Sequence, residues 1–214
     1  MKPEAAWQQA ADSLGTGLQQ LGIVSSVLQQ QQLLLFLRLL QRWSRTVNLT
    51  AVTVPQQMVY RHLFDSLPLL PWLAGRRVLD IGSGAGLPGI PLAIMRPEHD
   101  FFLLDSRSKR TRFLQQAVME LGLANVVVIT ARVEQYQPEE EFDTLTARAV
   151  APLSRLLEYS GHLCSAQGRV LALKNWPIDR ELKELPGGWQ LQHNIVLSVP
   201  GVAADRRLLI LVRA

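Results

Sequence analysis

A glycine-rich segment carries the strongest chemical signal in the chain. It reads Val78-Leu-Asp-Ile-Gly-Ser-Gly-Ala-Gly-Leu-Pro-Gly89, an apolar run followed by four glycines within eight residues. Glycine lets the backbone turn sharply and approach a ligand closely, and Pro88 suits the first turn of a helix. The segment therefore predicts a strand, a ligand-binding loop and a helix at the carboxyl edge of an open α/β sheet. A turn without a ligand is the alternative, but four glycines weaken a fold unless a ligand or tight packing requires them.

Two classes of cofactor use such a loop. The pattern Gly84-Ala-Gly86-Leu-Pro-Gly89 fits a dinucleotide site, in which backbone amides hold a pyrophosphate. The pattern Asp80-Ile-Gly82-Ser-Gly84-Ala-Gly86 fits an S-adenosylmethionine site, since a carboxylate suits a ligand with an ammonium and a sulfonium group. An anion is poorly placed beside a pyrophosphate, so Asp80 favours S-adenosylmethionine, with Asp80, Gly82 and Gly84 as cofactor-binding residues. A nicotinamide-dependent oxidoreductase using the second, third and fourth glycines stays the alternative.

Three later strand ends supply further candidates. Asp105 follows an apolar run and can accept the ribose hydroxyls of an adenosine cofactor, or alternatively cap a helix. Val133 and Glu134 follow the next run, where an adenine ring would lie, although Glu134 also fits the first turn of a helix. Arg148 ends a fourth run beside the expected position of the transferable methyl group. An arginine there can hold a carboxylate, an RNA phosphate or a guanine edge, unless it is only a surface residue.

Motifs that the sequence lacks limit the kinds of methyl transfer that it can catalyse. The sequence has no Asn/Asp-Pro-Pro-aromatic tetrapeptide, which amino-methyltransferases use to grip an exocyclic amine, and its single cysteine, Cys164, does not follow the fourth run. Its four histidines have no metal-ligand spacing, so we expect no metal site. A target with a free lone pair, such as guanine N7, fits these absences. It needs orientation beside the methyl donor and no base to remove a proton.

The charge pattern is compatible with a nucleic-acid partner. Lys and Arg number 22 against 18 Asp and Glu, a net charge of +4. A basic group lies just after Asp105 and contains Arg107, Lys109, Arg110 and Arg112. We expect it to line an RNA path together with Lys174, Arg42, Arg45 and Arg61. A solvated helix face is the alternative.

The chain of 214 residues is 48% hydrophobic, enough for one α/β domain with a helical extension. Residues 1–74 read as a helical N-terminal extension, with helices over 3–45 that break near 22–25, a short extended segment over 47–54 and a helix over 56–67. Residues 75–214 read as the cofactor-binding domain. Predicted strands cover 78–81, 101–104, 126–130, 144–146 and 170–173, and predicted helices cover 88–95, 109–121, 133–136 and 152–163.

Strands that are apolar on both faces and alternate with helices predict a Rossmann-like, doubly wound α/β fold with a mostly parallel sheet. Two final runs, 189–199 and 208–212, predict an antiparallel edge pair. No apolar run reaches the ~18 residues of a membrane span, and the start of the chain lacks the apolar stretch of a secretory signal. We therefore expect a cytoplasmic protein without a membrane partner.

Taken in order from about residue 41, these motifs resemble the RsmG (GidB) family. The resemblance rests on Asn48-Leu-Thr, His62-Leu-Phe-Asp65-Ser66-Leu, the glycine segment through Leu92, Leu104-Asp-Ser-x-x-Lys109-Arg110-x-x-Phe113-Leu114, Arg132-Val-Glu134 and Arg148-Ala-Val-Ala. Members of that family are bacterial 16S ribosomal RNA methyltransferases that use S-adenosylmethionine. The resemblance implies transfer of a methyl group to N7 of one guanine, guanine 527. It also implies 16S ribosomal RNA or the small ribosomal subunit as partner, and we expect a monomer.

The resemblance also implies roles for individual residues. Cofactor contacts are implied at Gly82, Leu87, Val133, Glu134 and Arg148, and Arg148 is expected to position the reactants without a general base. The family's N-terminal motif is matched by Asn48, His62, Asp65 and Ser66, which we expect to border the active cleft. Together with Lys109, Arg110 and Lys174 of the basic path, these are the predicted RNA-binding residues. Asp65 and Ser66 can alternatively brace their helix, and His62 can be a packing residue. One departure is Asn175, where the family often has glycine. A non-enzymatic RNA-binding assembly factor, with salt-sensitive affinity and no turnover, is a third hypothesis.

Overall fold

The fold is built on a mixed β-sheet, seen in a computed structural model that describes residues 3–148, 150–198 and 205–214. The sheet has seven strands in the order β3-β2-β1-β4-β5-β7-β6. Its strands are β1 (Arg77–Ile81), β2 (Asp100–Asp105), β3 (Val126–Thr130), β4 (Phe142–Arg148), β5 (Cys164–Asn175), β6 (Trp189–Leu197) and β7 (Arg206–Arg213). Strands β1 to β5 pair in parallel, and β7 pairs antiparallel with both β5 and β6. The predicted Rossmann-like sheet with an antiparallel edge is confirmed, while residue 199 of the predicted last-but-one strand lies outside the described residues.

Helices cover both faces of this sheet. They are α1 (Pro3–Gln20), α2 (Val27–Val47), α3 (Pro55–Met58), α4 (Phe64–Ser66), α5 (Gly89–Met95), α6 (Ser108–Leu121), α7 (Leu153–Ser160) and α8 (Asp179–Lys183). A turn of π-helix, Val59–Leu63, joins α3 to α4, and short 3-10 turns cover Leu67–Trp72, Val133–Gln135 and Gly161–Leu163. The predicted helices over 88–95 and 109–121 agree closely with α5 and α6.

The strands are buried on both faces, as the apolar runs predict. Neighbouring residues Val78 and Leu79 of β1 point to opposite faces, and both are fully buried. The face of Val78 packs against α1, α2, α5 and α6, whereas the face of Leu79 packs against α7. Burial on both faces is what a parallel sheet between two helical layers requires.

The N-terminal helices begin and end at local signals. Ser26 caps α2: its hydroxyl accepts a hydrogen bond from the Gln29 amide at 3.1 Å, and the Gln29 side chain accepts one from the Ser26 amide at 2.9 Å. The predicted break near residues 22–25 is thus confirmed. The helix ends at Asn48, which has a left-handed φ of 48°. Residues 48–54 form an irregular connection rather than a strand, because α2 continues through Val47 and no strand among the described residues pairs with this segment.

The N-terminal segment shares its core with the sheet. Leu14 of α1 and Phe36 of α2 belong to the same buried cluster as Val78 of β1 and Phe113 of α6. The proposed division at residues 74 and 75 therefore marks a change of pattern along the chain within one continuous core, and it stays a prediction. This packing brings the α3–α4 region to the carboxyl edge of the parallel strands.

Candidate functional site

A cavity of about 500 Å³ lies at the carboxyl ends of β1, β2 and β4. Its wall comes from three parts of the chain: the glycine loop after β1, the end of β2 with the start of α6, and the N-terminal segment with the end of β4. The lining residues include Leu49, Thr50, His62, Gly82, Gly84, Leu87, Asp105, Arg110, Arg148 and Val150. The predicted cofactor residues Gly82, Gly84, Leu87, Asp105 and Arg148 therefore do share one site.

The glycine loop owes its shape to backbone conformations that other residues rarely adopt. Gly82 and Gly86 have φ values of 64° and 79°. A Cβ atom on Gly86 would lie 2.6 Å from Ile90 Cδ1, and one on Gly89 would lie 2.8 Å from the Asp80 carboxylate. The loop is thus closely packed from below, while its upper surface forms the cavity floor.

Asp80 acts from beneath that loop. Its side chain is 1% exposed; one oxygen accepts a hydrogen bond from the Gly89 amide at 3.2 Å, and the other accepts one from Thr146 Oγ1 at 2.9 Å. Burial raises the pKa of this carboxyl from 3.8 to about 6, so it is mainly ionised at neutral pH. The described cavity wall does not include Asp80, so the structure assigns it to fixing the loop and supplying a buried negative charge.

Asp105 closes β2 with a nearly saturated carboxylate. Oδ2 accepts from the Gly84 amide at 3.0 Å and from Arg110 Nη1 at 3.2 Å, and Oδ1 accepts from the Arg107 amide at 2.8 Å. A carboxylate offers about four lone-pair positions, so one position on Oδ1 is left for a ligand hydroxyl. The hydrogen bond from Gly84 also ties this carboxylate to the glycine loop. Neither of the two roles predicted for Asp105, binding a ribose or capping a helix, includes this contact.

A buried ion cluster stands behind the opposite wall. The Asp65 carboxylate is 1% exposed and lies between two guanidinium groups, with Arg148 Nε at 3.2 Å and Arg206 Nε at 2.9 Å. Arg148 also donates from Nη2 to the carbonyl of Arg61 at 3.0 Å. Its Nη1 is buried and has no hydrogen-bond partner among the described residues. Arg148 lines the cavity with other atoms of its side chain, while the N–H groups of Nη1 lie below the cavity surface.

His62 completes this wall as a neutral ring. Its Nε2 lies 3.1 Å from Thr50 Oγ1, and both residues line the cavity. Burial, and then the charge of Arg148, lower the pKa of His62 from 6.5 to about 4. At neutral pH the imidazole is therefore uncharged and can donate or accept a hydrogen bond according to its tautomer.

The remaining predicted residues are distributed around the cavity. Asn48, Lys109 and Arg110 border a second groove that adjoins it through Arg110 and Arg107. Ser66 is fully buried and donates to the His62 carbonyl at 2.6 Å, which is the bracing alternative. Lys174 is 12% exposed and donates to Glu181 at 2.7 Å and to the Ala151 carbonyl at 2.6 Å. Its ammonium thus stabilises the loop after β4.

Val133 and Glu134 lie in a 3-10 turn at the end of β3. The described cavity lining does not include either of them, so their assignment to the cofactor stays a prediction. Cys164 begins β5 and is fully buried, and burial raises the pKa of its thiol to about 11. A protonated, buried thiol is a poor nucleophile.

Two features are absent from the described part of the chain. Within residues 3–148, 150–198 and 205–214, no three histidine, cysteine, aspartate or glutamate side chains cluster as metal ligands. In the same part of the chain, no helix has the length and apolar character needed to cross a membrane.

Sequence reasoning missed three residues of this site. Arg206 reaches Asp65 from a position 141 residues away, Thr146 holds Asp80, and Thr50 pairs with His62. Thr50 belongs to the quoted Asn-Leu-Thr motif, so that motif was the available signal. Arg206 and Thr146 have no such signal. Strand pairing places Thr146 opposite Asp80, and contact between α4 and the start of β7 places Arg206 beside Asp65.

Comparisons with known proteins agree with this arrangement. The family described as GidB, rRNA small subunit methyltransferase G, matches residues 29–210. The chain is similar to "Ribosomal RNA small subunit methyltransferase G" of Marinobacter nauticus, with 47% identity over 98% of each chain, and of Stutzerimonas stutzeri, with 50% identity over 95% of each chain. A methyltransferase structure from Aquifex aeolicus shares the fold, with a TM-score of 0.58, 16% identity and coverage of 73% of this chain and 93% of that one. The chain therefore belongs to the rRNA small subunit methyltransferase G family, also called GidB.

Proposed function

We propose that the protein transfers a methyl group from S-adenosylmethionine to N7 of one guanine, guanine 527 by family resemblance, in 16S ribosomal RNA. Its relatives are named for methylation of small-subunit ribosomal RNA, and this coarser activity is the one that family membership supports. The guanine and its N7 atom are the finer part of the proposal, and they rest on the chemistry of the site.

One observation carries the proposal. A single cavity joins a glycine loop to a wall that contains a neutral imidazole, His62, and the side chain of Arg148, which is 17% exposed. A guanidinium can donate to O6 of guanine, the major-groove acceptor next to N7, and this leaves the N7 lone pair free to receive the methyl group. The arrangement thus has room for a methyl donor on one side and a purine edge on the other.

The residues present fit S-adenosylmethionine, which is the methyl donor. A side chain at Gly82 would extend toward Val150 and into the cavity, with its Cβ 3.1 Å from that residue, so the glycine keeps a ligand-sized space open. The remaining lone pair of Asp105 suits a ribose hydroxyl. The buried charge of Asp80 favours a cationic ligand above the loop. When bound, this cofactor supplies an activated methyl group on a sulfonium.

The chain's own residues then have the task of orientation. Guanine N7 has a free lone pair, so no group must remove a proton before transfer. The site agrees with this, because a pKa of about 4 makes the His62 imidazole a weak base, and the Cys164 thiol is buried and protonated. Placing the reacting atoms in line is the main contribution that a site of this kind can make, and holding Arg148 rigidly against Asp65 serves it.

The dinucleotide alternative fits the loop less well. In such a site the amide at the start of the helix faces a pyrophosphate. Here the Gly89 amide donates instead to Asp80, and the ionised carboxylate lies directly below the loop. A pyrophosphate there would lack the hydrogen bond from the Gly89 amide, and the Asp80 carboxylate would repel its negative charge.

The test is transfer of labelled methyl from S-adenosylmethionine to small ribosomal subunits that lack the modification, followed by mapping of the label. We expect label at N7 of a single guanine. Label on another atom or another base would refute the finer proposal. A parallel thermal-shift comparison of S-adenosylhomocysteine with NADH decides between the two cofactor classes, and binding of NADH alone would overturn the methyltransferase interpretation.

A useful matched pair of variants is Arg148→Lys and Arg76→Lys. Arg148→Lys keeps the charge but loses the forked donor that we assign to O6 of guanine, so transfer should fall. Arg76 directly precedes β1, at the end of the strand far from the cavity, and its side chain is exposed and pairs with Asp100. Its variant should behave as wild type.

A further inference from the structure

Trp176 is exposed at the edge of the sheet where the cavity opens. It directly follows β5, whose carboxyl end lies beside that of β4. Its side chain is 41% exposed, although a large aromatic side chain is normally well covered. The backbone is fixed, because the Trp176 amide donates to the carbonyl of Asp205 at 3.0 Å. The indole is therefore presented to solvent on a rigid support.

A fixed cation backs one face of this indole. The guanidinium carbon of Arg207 lies 4.7 Å from the ring centroid. Arg207 is itself held by Asp205, with Nε donating to Oδ1 at 3.0 Å and Nη2 donating to Oδ2 at 3.4 Å. Because the guanidinium covers one face, the exposed area of the ring is available to a second planar partner. Indole rings stack on the bases of single-stranded RNA, and a neighbouring arginine adds attraction for the phosphates.

The position of Trp176 relative to Arg148 sets its distance from the reaction. Arg148 pairs in register with Leu173, and Trp176 lies three residues farther along. At ~3.3 Å per residue along the strand and ~4.8 Å between strands, the two Cα atoms are roughly 11 Å apart. Asn175, immediately before the tryptophan, accepts a hydrogen bond from Arg206, which also contacts Asp65 of the ion cluster. This spacing is suited to a nucleotide one or two positions from the methylated one.

We infer that Trp176 is a stacking platform for an unpaired base of the RNA substrate that flanks the target guanine. The inference rests on the proposed function and adds a substrate-binding site outside the cavity. A base anchored there would hold the strand while its neighbour enters the cavity beside Arg148. The interaction depends on the ring face rather than on a hydrogen-bond pattern, so it contributes affinity and placement without selecting the base.

The test compares Trp176→Leu with Trp176→Phe on unmodified small ribosomal subunits. Loss of one base stack should weaken subunit binding about 5- to 140-fold in the leucine variant, with a matching rise in KM. Phenylalanine retains a ring and should recover most of this affinity. The affinity for S-adenosylhomocysteine and kcat should stay at wild-type values. The slope of log affinity against log salt should also stay unchanged, because no phosphate contact is removed.

Trp189→Leu is the matched control. Trp189 carries the same type of pair, with the Arg213 guanidinium 5.0 Å from its ring centroid, but it lies at the opposite edge of the sheet. Its affinity for subunits should equal that of the wild type once thermal unfolding shows that it is folded. Equal losses in the leucine and phenylalanine variants of Trp176, or wild-type affinity in both, would overturn the stacking inference. Failure of the wild type to methylate guanine N7 would instead overturn the proposed function.

Discussion

Asp65→Asn tests the ion cluster behind the cavity. The substitution leaves two guanidinium groups, those of Arg148 and Arg206, facing an uncharged amide that is 1% exposed in the wild type. Breaking a buried ion pair by removing one partner costs ~3–5 kcal/mol. The two arginine side chains are 17% and 19% exposed, so some solvent screens them and the low end, about 3 kcal/mol, applies. For a chain of this length that lowers the melting temperature by about 6–12 °C.

The same substitution should impair the reaction at temperatures where the protein is folded. Arg148 loses the partner of its Nε and can rotate away from the cavity, and a displacement of ~1 Å costs about 100-fold in rate. Methyl transfer to unmodified subunits measures this loss of rate. Calorimetric unfolding measures the loss of stability predicted above. Arg206→Gln removes one cation yet keeps the pair between Asp65 and Arg148. We therefore expect this variant to be more stable than Asp65→Asn, and it serves as a comparison. Ser66→Ala changes the adjacent residue and should cost only ~1 kcal/mol. A melting temperature and a rate equal to the wild type in Asp65→Asn would refute the role of the cluster.

Three further predictions concern the loop and its surroundings. Gly82→Asp should weaken S-adenosylhomocysteine binding more than about ten-fold, as measured by titration calorimetry. The left-handed φ adds ~1–2 kcal/mol of strain, and the new side chain enters the cavity. Undiminished binding would contradict this prediction. Burial raises the pKa of Asp80 from 3.8 to about 6, so between these pH values the folded state binds more protons than the unfolded state. The stability contributed by Asp80 should therefore fall by about 3 kcal/mol as pH rises from ~4 to ~6.5. Asp80→Asn should abolish that fall in thermal unfolding, and parallel profiles for the two proteins would disprove it. Lys109→Ala should weaken subunit binding and reduce the salt slope by about 1 without changing cofactor affinity, whereas an unchanged slope would remove Lys109 from the RNA path.

Much of the cofactor side could be predicted from local sequence. The glycines of the loop, the apolar runs on either side and Ser26 at the start of α2 each act through neighbours within a few residues. Such short-range interactions can be predicted without knowledge of the tertiary structure. They also gave the correct edge of the sheet, because parallel strands present their carboxyl ends together.

The roles of individual charges were harder to predict. The sequence indicates that a carboxylate belongs at position 80, but it does not show that the side chain turns down toward the Gly89 amide. Lys174 illustrates the same limit, since its partner Glu181 lies on α8 and draws the ammonium into an ion pair. In each case the choice between a ligand and an internal partner depends on side-chain direction, which periodicity does not encode.

The ion cluster shows why the N-terminal helices and the terminal hairpin belong to the site. Asp65 comes from α4, Arg148 from the end of β4 and Arg206 from the start of β7. None of these charges is stable alone at such depth, because an unpaired buried ion costs several kcal/mol. The strand β7 must therefore insert between β5 and β6, and the α3–α4 region must pack on the sheet, before Arg148 is fixed at the cavity. The wall that carries Arg148 therefore depends on contacts between distant parts of the chain, whereas the glycine loop depends mainly on β1, β2 and their helices.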